Sequence, residues 1–188
     1  MALYWAAFLA HCEHSPAGVE RYASKMIELS TRHNFATWLP HADVLRGWAR
    51  SASGDTAEGM SWIENGLKET RATGVMLTVP FLLSLKAQAL HLVDRTVGAL
   101  EAIQEAHVLV ERFEDRYWSA ELHRLRGVFL AAIGADQTQI EVSFCEAIRI
   151  AKEQKSVSLE KRAEATYAEY RRQKASGSGG RGFRLPLW

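Results

Sequence analysis

The sequence predicts an all-α fold, a right-handed α-solenoid of stacked helical hairpins with a period of about 40 residues. Three observations carry this prediction. Leu45-Arg46-Gly47, Leu85-Lys86-Ala87 and Leu125-Arg126-Gly127 repeat the pattern Leu, basic, small at 40-residue spacing, and a fixed period of that size marks helical units that stack on one another. Apolar residues recur at helical spacing, as in Trp118, Leu122, Leu125, Phe129 and Ile133, or Leu100, Ile103, Ala106 and Val110. No alternating run is long enough for a strand.

Taken in order, helices are predicted at about 2–13, 16–32, 36–53, 56–72, 76–93, 97–113, 117–133, 137–154 and 157–174. The first presents Tyr4, Trp5, Phe8 and Leu9, more apolar surface than one neighbouring helix needs, whereas a terminal repeat ordinarily has a polar outer face. These four residues are the candidate self-association surface. Pro16, Pro40 and Pro80 fall near helix starts, where a missing N–H costs little. The triplet-bearing helices end at Ser53-Gly54-Asp55, Asp94-Arg95-Thr96 and Gly134-Ala135-Asp136. Glycine there supplies a left-handed end, and Asp or Thr caps the next helix. Asp55 with Glu58, and Asp136 with Gln139, have capping-box spacing.

The register extends beyond the triplets. Trp38, Thr78 and Trp118 are equivalent, as are Ile63, Ile103 and Phe144, and Gly66, Ala106 and Ala147. Extrapolation places Ala23 and Met26 in an earlier second helix and Ala168 in a later first helix. Small residues recur where helices pack closely. Ser176-Gly177-Ser178-Gly179-Gly180 ends the last helix. The chain thus divides into a helical-repeat domain at 1–174 and a Gly/Ser-rich basic tail at 175–188, expected to be flexible, with the second helix of the last hairpin missing.

Bulk properties narrow the function. The 188 residues suffice for one domain with a real core, and a net charge of +1 gives no overall field toward nucleic acid or membrane. The charge is uneven, with seven Lys/Arg against two Glu from Lys161 to Trp188. Cys12 and Cys145 lie in apolar helical patterns rather than a disulfide framework, which fits a reducing cytoplasm. No run approaches the roughly 18 apolar residues of a membrane span, and the apolar stretch Ala2–Ala10 lacks the basic flank of a secretory signal.

The segment Trp118–Gly134, above all Ala120-Glu121-Leu122-His123-Arg124-Leu125-Arg126-Gly127, resembles the tetratricopeptide-like C-terminal region of large bacterial signalling proteins that carry a cyclase or winged-helix domain and a P-loop ATPase domain. Leu45-Arg46-Gly47-Trp48-Ala49, Ala72-Thr73-Gly74 and Ser158-Leu159-Glu160 also match, so the resemblance runs from about Phe8 to Arg172. It implies a helical interaction or sensing module. The chain has neither a Gly-x-x-x-x-Gly-Lys-Ser/Thr loop nor a cyclase carboxylate pair, so the family's catalysis does not carry over, and the Gly/Ser tail stands where the family continues into another helix.

Candidate chemistry is sparse. His11, Cys12, Glu13 and His14 place two histidines three apart but lack further ligands, so a polar helix end is expected and no metal or cofactor. Cys145 has no base in its motif and reads as a packing residue beside Phe144. Gly179-Gly180-Arg181-Gly182-Phe183 is a single copy of an arginine–glycine pattern, too little for nucleic acid. Trp38, Trp48, Trp62 and Trp118 are expected in the core rather than on a stacking surface. Arg46, Lys86 and Arg126 occupy equivalent positions on first helices, which line the concave face of tetratricopeptide-type arrays. They form a candidate ladder for an acidic protein or peptide partner, with His41 and His123 adding polar contacts; the rival reading is a solvated row whose alkyl stems cover neighbouring helices. The sequence therefore predicts a cytoplasmic, non-catalytic protein-interaction or regulatory module without a cofactor, a homo-oligomer if the first helix pairs. The alternatives are a small-molecule effector sensor, or a remnant of a cyclase/ATPase regulator that dimerises through its first helix.

Overall fold

The computed structural model describes residues 1–177, 183 and 185–187. Among these there are nine α-helices and no strand: α1 (Ala2–Cys12), α2 (Pro16–His33), α3 (Leu39–Ala52), α4 (Thr56–Ala72), α5 (Val79–Leu92), α6 (Thr96–Phe113), α7 (Ser119–Ala132), α8 (Gln137–Glu153) and α9 (Val157–Ala175). The predicted helices recur with ends shifted by at most three residues. The largest shifts are at the starts of α3 and α5, where a 3₁₀ turn (Ala36–Trp38) and a turn at 76–78 precede the helix. Trp38, Thr78 and Trp118, equivalent in register, each occupy the N-cap position without a side-chain cap bond. Of the two predicted capping boxes, Asp136 accepts from Thr138 N at 2.9 Å and from Gln139 N at 3.4 Å, whereas Asp55 makes no cap bond.

The chain divides into two compact units, Met1–Arg95 and Thr96–Leu187. In the first, α3 packs against α1, α2, α4 and α5, burying Leu45, Trp48, Ile63, Leu67, Phe81 and Leu85. The α3–α4 crossing is backbone to backbone: a Cβ on Gly47 would lie 2.5 Å from Gly59 O, and one on Gly66 would lie 2.5 Å from Pro40 O. A buried polar bridge joins three helices, with Trp48 Nε1 donating to Gln88 Oε1 at 3.0 Å and the same amide 3.3 Å from His11 Nε2.

In the second unit α7 packs against α6, α8 and α9, burying Leu122, Leu125, Phe129, Phe144 and Ala147. Gly127 admits the Phe144 ring, which a Cβ would meet at 2.8 Å. The register-equivalent residues Ile63, Ile103 and Phe144 are all fully buried, as are Ala23, Ala106 and Ala147. Ala168 lies on a later helix, α9, as extrapolated, and is exposed there. Cys145 departs from expectation: it is exposed, one step around α8 from Phe144.

Candidate functional site

Helical periodicity in the second unit builds a polar cleft of about 320 Å³. His107 and Glu111 come from one face of α6, Ser119 and His123 from α7, and Arg149 and Glu153 from α8; each pair is four apart and so shares a face. The His107 and His123 rings stand 4.4 Å apart between centroids. Burial, reinforced by the charges of His123 and Arg126, lowers His107 to about 4. Burial likewise lowers His123. Ser119 is 6% exposed, and neither its Oγ nor His107 Nε2 has a hydrogen-bond partner. The rim is charge-balanced: Arg149 lies 2.7 Å from Glu146 and 2.5 Å from Glu153. Such a floor of neutral imidazole and hydroxyl suits hydrogen bonding to a small polar molecule. An imidazole with pKa near 4 is a weak base at neutral pH. Among the described residues no three His, Cys, Asp or Glu side chains are grouped to hold a metal ion.

On another face of α7 lies a buried guanidinium. Arg124 is 1% exposed and spends all five N–H groups. Nε and Nη2 donate to the two Glu121 carboxylate oxygens at 2.9 and 2.7 Å. Nη1 donates to Thr166 Oγ1 and Pro186 O, both at 3.3 Å, and Nη2 also donates to Leu187 O at 2.5 Å. Arg162 approaches the same Glu121 carboxylate at 3.4 Å. Leu185 and Leu187 are buried, Pro186 between them is exposed, and the Phe183 ring lies 4.7 Å from that of Tyr170. The described end of the tail is therefore seated on its own unit. The arginine–glycine segment lies outside the described residues, apart from Phe183.

The basic residues of the three triplets are each tied to a neighbouring helix. Arg46 donates to Glu20 on α2 at 2.9 Å, with its guanidinium 4.3 Å from the Trp62 ring centroid on α4. Lys86 lies 3.9 Å from Glu64 on α4, and Arg126 donates to Ser143 on α8 at 2.6 Å. His41 does not offer a partner-facing ring: it is buried, with Nε2 2.7 Å from Thr78 Oγ1 and Nδ1 3.2 Å from Thr37 O. His123 lines the cleft. Of the proposed self-association residues, Tyr4 is buried, packed edge-on against His41 and Phe81, and Phe8 is half-buried, 5.0 Å from Phe81. Trp5 and Leu9 remain on the outer face at 44% and 59% exposure. His11 turns inward to Gln88 and Trp48, while His14 sits at the left-handed helix end.

Sequence reasoning missed His107, Ser119, Glu121 and Arg124. The signal for the last two was present in the register. Glu121 and Arg124 stand where the earlier copies have His41 and Val44, then Phe81 and Ser84, all buried.

No protein-family model matches the chain, and no solved structure matches it. It is similar to a protein of Rhizobium meliloti (strain 1021) that is named only as uncharacterized, 28% identical over 147 residues. That stretch covers 78% of this chain and 14% of the Rhizobium protein, so the chain spans a small part of the relative's length.

Proposed function

We propose that the chain is a tetratricopeptide-like α-solenoid that binds protein segments without catalysis, a regulatory helical-repeat module of bacterial signalling in the cytoplasm. The observation that carries this reading is the repeated close contact beside the basic triplet residue: Gly47 meets α4 backbone and Gly127 meets Phe144 on α8, 80 residues apart in the same register. Repeats that bury their faces on neighbours leave extended surfaces for partners. The much longer Rhizobium protein supports a role as one segment of a larger assembly. Cross-linking mass spectrometry in the native host tests the reading. Reproducible cross-links from one protein to α3, α5 or α7 are expected; a chain that cross-links to nothing reproducibly refutes it.

The unpartnered Ser119 Oγ and His107 Nε2 favour a second reading, an effector-sensing domain with its ligand in the α6–α8 cleft. A ligand of the folded state raises the melting temperature. A metabolite that stabilises the wild type and loses its effect in Ser119→Val identifies this function, and a library without such a compound argues against it.

A further inference from the structure

The seat of residues 185–187 is built like a peptide-recognition site. Leu185 and Leu187 are buried while Pro186 between them is exposed. The half-buried Phe183 ring lies against Tyr170. The backbone is held by Arg124, which gives two of its five N–H groups to consecutive carbonyls, those of Pro186 and Leu187. Glu121 and Thr166 fix the guanidinium plane from the other side. Backbone hydrogen bonds supply sequence-independent affinity and the seats for Leu185 and Leu187 supply selectivity, a division of labour used in peptide recognition. No packing requirement of the repeat calls for such a group, since the equivalent positions in the two earlier copies are Val44 and Ser84.

We infer that this face of α7 and α9 is a receptor for a partner segment with two apolar residues flanking one exposed position, and that Leu185, Pro186 and Leu187 are its tethered, displaceable occupant. The inference rests on the protein-binding reading and names the partner chemistry for one surface of it. A tethered segment competes at the high effective concentration that a short connection provides, so the site is closed until a partner segment outcompetes the tail.

The test uses the full chain and a fluorescently labelled peptide of residues 181–188, followed by anisotropy. Wild type, its own tail seated, should bind weakly. Leu185→Asp with Leu187→Asp expels the tail and leaves the groove intact, and should bind the peptide at least about tenfold tighter. Adding Arg124→Lys keeps the charge beside Glu121 but loses the planar fork that spans two carbonyls, and should abolish that gain. Leu185→Ala with Leu187→Ala gives the same readout if the aspartates prevent folding. Equal, weak binding to wild type and to a folded tail variant overturns the groove while leaving the module reading to the cross-linking experiment. A wild-type dimer that the tail variant dissolves would make the occupant a second copy's tail and would also overturn the proposal as stated.

Discussion

At the scale of single residues, the Glu121–Arg124 pair is the most consequential feature of α7. Two charges removed from water cost several kcal/mol each, and the cost is offset only when every remaining donor and acceptor is met. Here Arg124 meets five acceptors, and Glu121 is approached by both Arg124 and Arg162. Removing one member strands the other. Arg124→Met should therefore destabilise the chain by about 3–5 kcal/mol. The double change Glu121→Met with Arg124→Met should recover most of that loss, since the equivalent positions already hold Phe81 with Ser84 and His41 with Val44 in buried settings. Urea denaturation of the three chains measures this. A double variant less stable than the single one would mean that the carbonyl contacts to Pro186 and Leu187, rather than charge balance, fix the pair.

At the scale of elements, helix ends keep a beat that the triplets only half reveal. Left-handed residues fall at His14, Asn34, Gly54, Gly74, Asp94, Glu114, Gly134 and Lys155, 20 or 21 residues apart, one for each helix from α1 to α8. At six of them the following residue donates to the carbonyl five positions before it: Ser15 to Ala10, Phe35 to Ser30, Asp55 to Arg50, Arg95 to Leu90, Ala135 to Leu130 and Ser156 to Ala151. This closure is the Schellman arrangement, made by backbone alone. Hence helix existence was legible from apolar spacing, whereas five of these eight ends carry no glycine to announce them. The candidate cleft was illegible for a related reason. Its walls come from three helices, and only the folded chain shows that His107 on α6 faces His123 on α7. Arg46, Lys86 and Arg126 stood out in the sequence because they repeat, yet each is already committed to a neighbour. The backbone argument predicts opposite signs for opposite substitutions. Gly134→Ala places a Cβ in open space and should still cost about 1 kcal/mol through its left-handed conformation. Lys155→Gly, at an exposed position of the same motif, should stabilise by a few tenths to about 1 kcal/mol. Thermal melts of both variants decide it, and a destabilising Lys155→Gly would show that its side chain contributes more than its backbone costs.

At the scale of the whole molecule, burial sets the response to pH. His41, His91, His107 and His123 are all lowered from the ordinary histidine value, each mainly by burial. The unfolded chain therefore binds protons at these residues near pH 6.5 while the folded chain resists, for His107 until about 4. Their contribution to stability is complete above pH 6.5 and is lost as pH falls toward the folded values. Asp115 works in the opposite direction. Burial raises it to about 6, so the folded chain takes up its proton before the unfolded chain does, and this group favours folding increasingly as pH drops from 6 toward 3.8. Burial raises Asp43 as well, and the four histidines spread over both units outweigh these two carboxyls, so the urea midpoint at pH 5 should lie below that at pH 7.5. Asp115→Asn removes the buried carboxylate, one oxygen of which has no hydrogen-bond partner. It should raise the midpoint at pH 7.5 and steepen the fall below pH 6.5, because of the two raised carboxyls only Asp43 then opposes the histidines. A midpoint that stays level between pH 7.5 and pH 5 would show that the four rings gain protons without unfolding, through cleft and turn geometries that open to water. An Asp115→Asn variant whose profile parallels the wild type would assign the whole slope to the histidines.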